Sequence, residues 1–273
     1  MSVFVAEELS EVLNTKVVIG RINMGLLNRI IIDDVLLDDQ SGQEMLKVTR
    51  LSAKFDIMPF FKGKISISSV QLFGFNINLR KETPDSPPNF KFVLDAFASK
   101  DTVKKENSLD LRINSILIRR GRMSYHVLSE EETPGKFNAK HIQLQNIIAN
   151  ISLKALSKDS LNLGIKRLSL DEKASGFSLK KMSLKLVANN KQTNIDNFTI
   201  ELPETSLKLD TIHLEYDSLK AFDRFTEQVH FSFRTLPSQV TLKDISPFVP
   251  ILSHFKEPVT LDMEVKGTVD QLT

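Results

Sequence analysis

The sequence predicts a mainly β protein: a long, curved, bulged antiparallel sheet forming a groove-like or taco-like meander, with a short N-terminal helix and two short helical insertions. Three observations predict it. First, one apolar stencil recurs from Val17 to Leu214: two apolar residues one apart, a polar pair, then two more apolar residues one apart, as in Ile30, Ile32, Val35 and Leu37. Alternation within each half is the period of a strand, whose successive side chains point to opposite faces. The three-residue step in the middle would send the second half to the other face. One inserted residue, a β-bulge, returns all four to one face and bends the strand. Second, the connections between stencils are short and rich in turn residues, whereas parallel neighbours need crossovers of roughly a dozen residues or more. A mostly antiparallel meander is therefore expected. Third, helical periodicity is scarce, and uniform strand length argues against a doubly wound fold or a TIM barrel.

Residues 3–14 suit an amphipathic helix, with Val5, Leu9, Val12 and Leu13 on one stripe, Glu7, Glu8 and Glu11 outside it, and Asn14 at its end. Strands then run to about Leu79 on the stencils Val17/Ile19/Ile22/Met24, Ile30/Ile32/Val35/Leu37, Leu46/Val48/Leu51/Ala53 and Ile65/Ile67/Val70/Leu72. Turn residues at 38–42 and 62–64 separate them, and Phe73, Phe75, Ile77 and Leu79 extend the last. The proline-rich stretch 84–89 is the clearest break. Asn89 is placed to cap a helix carrying Phe90, Val93, Leu94 and Phe97, and a charged stretch follows at 100–107. These marks divide the chain into 1–81, the helix and first strands; 82–108, a linker with a short helix; and 109–273, the continued sheet.

From Leu109 to Tyr216 the pattern is strand and tight turn. The stencils are Leu111/Ile113/Ile116/Ile118, Ile142/Leu144/Ile147/Ala149, Leu163/Ile165/Leu168/Leu170, Phe177/Leu179/Met182/Leu184, Thr193/Ile195/Phe198/Ile200 and Leu207/Leu209/Ile212/Leu214. Turns are expected at 130–135, 157–160, 189–191 and Pro203-Glu204. A second helical insertion is expected over 244–253, with Ser246 as N-cap, Pro247 as first helical residue, and Phe248, Ile251 and Leu252 buried. The chain closes on alternation at Val259, Leu261, Met263 and Val265. It opens in a helix-like segment and stops in a strand-like one, which suggests a piece of a longer protein.

Lys plus Arg is 36 and Asp plus Glu is 34, a net charge of +2 that gives no reason to expect nucleic acid. Arg119, Arg120 and Arg122, the tightest arginine cluster, read as a solvated strand face and hairpin end, with an anionic headgroup or phosphate as the lesser alternative. With no cysteine there is no disulfide, thiol nucleophile or thiolate metal site. No window approaches the ~20 apolar residues of a membrane-spanning helix. His126, His141, His213, His230 and His254 show neither i,i+4 nor HExxH spacing. GxSxG, P-loop and GxGxxG motifs are missing. Asp33-Asp34 and Asp38-Asp39 lack the calcium-loop spacing and read as a bulge and a hairpin turn. An enzyme, a metal and a cofactor are therefore not expected.

The apolar face is the functional clue. Full burial of one such side chain is worth roughly 1.5–3 kcal/mol, so a face of this size does not stay wet. Either it folds on itself as a sealed β-sandwich, or something apolar fills it. Three short helices do not cover the strands, which favours an open trough able to hold acyl chains. Its expected lining is Ile19, Ile22, Ile32, Val35, Val48, Leu51, Ile65, Ile67, Val70, Leu72, Leu111, Ile113, Ile116, Ile118, Ile142, Leu144, Leu163, Ile165, Leu179, Met182, Leu207, Leu209, Ile212 and Leu214.

Several phrases resemble the AsmA/TamB-like family. The opening from Val5 through Asn14 to Ile19-Gly20 is similar to the segment following that family's membrane anchor, a helix running into a strand that ends in an Ile-Gly pair. Ile30-Ile31-Ile32-Asp33-Asp34-Val35-Leu36-Leu37-Asp38-Asp39-Gln40-Ser41-Gly42 is similar to its next strand, and the phrase from Ile65 to Gly74 to the one after. Asp244-Ile245-Ser246-Pro247-Phe248-Val249-Pro250, Glu257-Pro258-Val259-Thr260-Leu261 and Val265-Lys266-Gly267-Thr268-Val269 look like TamB again. The family's anchor and C-terminal region are absent from this chain. The resemblance implies the N-terminal periplasmic segment of a TamB-like translocation and assembly module, of Bacteroidota type, held at the inner membrane through that anchor. It implies a β-groove akin to chorein-type lipid bridges, with phospholipid acyl chains as cargo. A BamA/TamA-like outer-membrane barrel would be contacted through regions absent here. The leading expectation is a non-enzymatic lipid-conduit segment between the membranes. The alternative is a β-rich scaffold whose edge strands pair with client strands during outer-membrane protein translocation and assembly. A sealed surface domain is a third.

Overall fold

Strand residues make up 57% of the protein, a mainly β chain as the alternation predicts. The computed structural model describes residues 2–26, 28–55, 65–98, 109–110, 114–157 and 160–272. Contacts divide the chain into two compact units, residues 1–148 with 171–176, and residues 149–170 with 177–273. The proline-rich stretch lies inside the first.

In the first unit, helix α1 (Ser2–Leu13) ends at Asn14, whose φ of +49° is the left-handed stop its sequence predicts. Ser10 ties it to the strand beyond: its Oγ donates to the Ala6 carbonyl at 2.7 Å and accepts from the Val17 amide at 3.0 Å. Strands β1 (Val17–Gly25), β2 (Arg29–Asp38), β3 (Glu44–Phe55) and β4 (Ile65–Lys81) form an antiparallel ladder. The turn between β2 and β3 is built by Asp39. Its Oδ1 accepts from the amides of Ser41 and Gln43 at 3.0 and 3.1 Å, and Gly42 takes φ +80°. The turn expected at 62–64 and the charged stretch at 100–107 lie outside the described residues.

Helix α2 (Lys91–Ala98) leads to the two-residue strand β5 (Leu109–Asp110) and to β6 (Ser115–Val127). Here a parallel pairing interrupts the mostly antiparallel meander. β6 runs parallel to β4, from Ser69 opposite Ser115 to Lys81 opposite Val127, and β5 pairs parallel with the start of β4. The connection, residues 82–114, is long enough for the crossover that a parallel pair requires, so the sheet is mixed. Asn89 does not serve as the expected helix cap. Its Oδ1 accepts from the Arg80 amide at 3.1 Å, and its Nδ2 donates to Asp39 Oδ2 and the Asn78 carbonyl. Strands β7 (His141–Ser157) and β8 (Ser160–Glu172) contribute residues to both units.

In the second unit, β9 (Ser178–Asn189) pairs antiparallel with β10 (Gln192–Glu201) across a turn in which Asn189 Oδ1 accepts from the amides of Lys191 and Gln192. On its other side β10 meets two short strands, β11 (Ser206–Leu209) and β12 (Ile212–Glu215). A 3-10 turn (Leu219–Arg224) and helix α3 (Phe225–Gln228), which no apolar periodicity announces, bury Val229 against Tyr216 and Ala221. β13 (His230–Arg234) pairs with β12, and β14 (Ser238–Thr241) with β11. β15 (Pro258–Leu261), β16 (Glu264–Thr268) and β17 (Gln271–Leu272) complete the two ribbons.

The insertion expected over 244–253 is instead two 3-10 turns, Leu242–Ile245 and Pro250–His254. Pro247 is harmless as a first helical residue, but Pro250 lacks the amide donor that a helix begun there would use for its first bond. Ser246 closes the first turn rather than capping a helix. Phe248 and Ile251, expected buried, are 46% and 69% exposed, although Phe248 meets Phe177 edge-on at 5.0 Å. The closing alternation is likewise two strands, since Met263 bonds Thr235 between them.

Candidate functional site

Residues opposite one another in a ladder share a face, so register shows which apolar residues meet. In the first unit Ile22, Ile32, Leu51, Leu72 and Ile118 form one row across β1, β2, β3, β4 and β6. Met24, Ile30, Ala53, Val70 and Ile116 form the next. Beyond a break lie Ile19, Val35, Val48 and Phe75, and then Val17, Leu37, Leu46, Ile77 and Met123.

The break is itself a row, made by Gly20, Asp34, Thr49, Gly74 and Arg120. Asp34, Gly74 and Arg120 take φ of +56°, +63° and +56°. A Cβ on Gly20 would lie 3.0 Å from Asp34 Cβ, and one on Gly74 2.7 Å from Thr49 Oγ1. The strands thus take their three-residue step side by side and stay in register, rather than each carrying a surplus residue. Two-against-one bulges occur elsewhere, at Met45 against β2, at Ser68 against β3, and between Asp196 and Thr199 of β10, where Asn197 has φ +54°.

Ser68-Ser69 is therefore a bulge as expected, but β4 takes a second step at Gly74. That step reverses the expected place of Phe73. It pairs with Arg50 and Arg119, on the face opposite Leu72 and Phe75, under the Arg120 guanidinium at 5.1 Å. In β6 the step falls at Arg119-Arg120, not at Asn114-Ser115. Leu111 and Ile113 lie outside the described residues, as does the side chain of Ile65.

In the second unit Ile195 meets Leu186 and Ile212, and Ile200 meets Met182 and Leu207. Phe198 meets Leu209, and Thr193 meets Leu214. Ile142 and Leu144 lie on the part of β7 in the first unit, and Leu163 and Ile165 on the part of β8 in the second.

Among the expected lining residues with described side chains, Ile19, Val48, Leu179 and Leu209 are buried and the rest half-buried. Helix α1 accounts for part of this burial. Val17, Ile19 and Leu37 are joined with Ala6 of α1 in one cluster, against which Leu13, Phe92 and Val93 pack. Ile22 and Ile32, beyond the break, touch the same cluster, which places both halves of the stencil on one face. Further out the cover ends: Ile30, Val70 and Ile116 are half-buried and Met24 is 70% exposed.

The opposite face is mostly polar, although Val18, Ile31, Leu36, Phe73 and Leu117 also lie on it. Arg21, Asp33, Arg50, Phe73 and Arg119 line a depression of about 570 Å3. Arg50 grips Asp33 with Nε and Nη2 at 2.6 and 3.3 Å, and this hydrogen bond holds the Asp33 carboxyl below the usual carboxylate range against its desolvation. Burial pushes the Asp39 carboxyl up, yet bonds from Ser41, Asn89 and Gln43 bring it below the ordinary value. Burial acts likewise on Glu172, and is outweighed by Ser175 and by the amides of Gln143, Ser175 and Ala174. These three carboxylates hold turns and strands together. The apolar rows offer a surface for an apolar chain. A scan against protein-family models gives no match, and a search of curated proteins gives none.

Proposed function

We propose that this chain is a non-enzymatic lipid-conduit segment of AsmA/TamB-like type, its apolar rows shielding phospholipid acyl chains in the periplasm between inner and outer membrane. The observation that carries the reading is the graded cover of the first unit's apolar face. Helices α1 and α2 bury one end, while at the other five strands hold rows of half-buried aliphatic side chains. Five strands at about 4.8 Å spacing make rows ~19 Å wide, broad enough for more than one acyl chain. Each methylene moved from water onto such a face contributes about 0.8 kcal/mol. Headgroups would stay in solvent.

Native mass spectrometry of the purified chain tests this, together with fluorescent phospholipid transfer between vesicles. Bound phospholipid is expected, and Ile32→Asp or Leu72→Asp should abolish it while the β circular-dichroism signal persists. No bound lipid in the parent chain, or an unchanged lipid load in both folded variants, would overturn the reading.

A further inference from the structure

We propose a zinc site formed by His126, His141 and Glu132 at the hairpin end joining β6 to β7, in the first unit. His126 Nδ1 and His141 Nδ1 face each other at 3.0 Å, with ring centroids 5.3 Å apart. Glu132 Oε1 lies 3.9 Å from His126 Nδ1, and the three donor atoms fall within 4.8 Å of one another. Two ligands about 2.1 Å from a tetrahedral zinc are ~3.4 Å apart, so modest side-chain shifts bring all three onto one ion.

The tautomer of His141 favours this. Its Nε2 lies 2.9 Å from the Glu130 carbonyl. A carbonyl only accepts, so Nε2 carries the proton and Nδ1 presents its lone pair toward His126. A ligating imidazole whose other nitrogen donates to a backbone carbonyl is the usual arrangement around zinc. The loop is held for it. Leu128 and Ser129 amides donate to the carbonyls of Lys81 and Glu82, and Val127 to that of Lys140. Lys140 Nζ pairs with Glu130 Oε2 at 2.6 Å, which places that cation on a different carboxylate from Glu132.

Two imidazoles and one carboxylate suit zinc, whereas calcium and magnesium prefer oxygen ligands alone. His141 is 6% exposed and Glu132 lies open to solvent, so the ion would enter on the glutamate side and keep water as its fourth ligand. Zinc would pin the hairpin to the strand it leaves.

Calorimetric titration of the full 273-residue chain with zinc chloride, with calcium chloride as control, tests the site. One zinc per chain is expected, with no calcium binding. His126→Asn should weaken zinc at least ~100-fold and Glu132→Gln at least ~10-fold, at or beyond the range for losing an outer partner of a ligand. His213→Asn, at a separate histidine–glutamate pair, should leave binding unchanged. Because Glu132 is exposed, its variant keeps the fold, and circular dichroism checks this. Absence of zinc binding, or binding unaffected by both His126→Asn and Glu132→Gln, would overturn the proposal.

Discussion

Gly121 marks the tightest approach in the first unit, and replacing it by alanine tests the packing of the apolar rows. A Cβ there would lie 2.4 Å from both Cε1 and Cζ of Phe75 and 3.0 Å from Cβ of Ile147. Real carbon–carbon contacts sit near 3.5–4.0 Å, so the Phe75 ring must move by more than an ångström. Phe75 is 7% exposed and Ile147 8%, leaving the ring little room. Gly121 has no positive φ, so the cost is packing alone. Overpacking of this kind costs about 1–3 kcal/mol. Urea unfolding followed by tyrosine fluorescence reads it. The protein has no tryptophan and two tyrosines, Tyr125 in the same strand as Gly121, four residues on, and Tyr216 in the second unit. The transition reported by Tyr125 should move to lower urea and that of Tyr216 stay put. Shortening the ring relieves the clash, so Phe75→Leu with Gly121→Ala should be more stable than the sum of the single changes by ~1 kcal/mol or more. Strict additivity would refute the reasoning.

Gly74→Ala should cost about 1–2 kcal/mol for its left-handed backbone, plus the clash with Thr49. Gly42→Ala, at φ +80° with open space around it, should cost the backbone part alone, and urea midpoints compare the two. The depressed carboxylates Asp33, Asp39 and Glu172 make stability pH-dependent. Their contribution is complete above the ordinary carboxylate value of the unfolded chain and is lost as pH falls through the lower folded values. Unfolding free energy measured against pH should fall on the acid side, and Glu172→Gln should flatten that fall while lowering stability at neutral pH by about 2 kcal/mol. An unchanged acid limb in that variant would show that Glu172 does not titrate as its hydrogen bonds imply.

Strands, turns and the N-terminal helix were legible in the sequence because each follows from neighbouring residues. Alternation in Ile30–Ile32 and Val35–Leu37, the side chain of Asp39 and the left-handed Asn14 act over a few positions. The helix expected from Pro247 was misread because apolar spacing outweighed the missing amide donor of Pro250. What lay between distant segments was not legible. That β4 pairs parallel with β6, that Gly20, Asp34, Thr49, Gly74 and Arg120 step in one row, and that Phe73 faces away from Phe75 are matters of register. So is the meeting of His126 with His141 across a hairpin. By itself the sequence determined that the chain is built of bent, one-face-apolar strands, since a three-residue step admits few other backbones. Only the tertiary structure decided which strands lie side by side and which end of the apolar face is covered, because pairing and cover depend on side chains far apart in the chain.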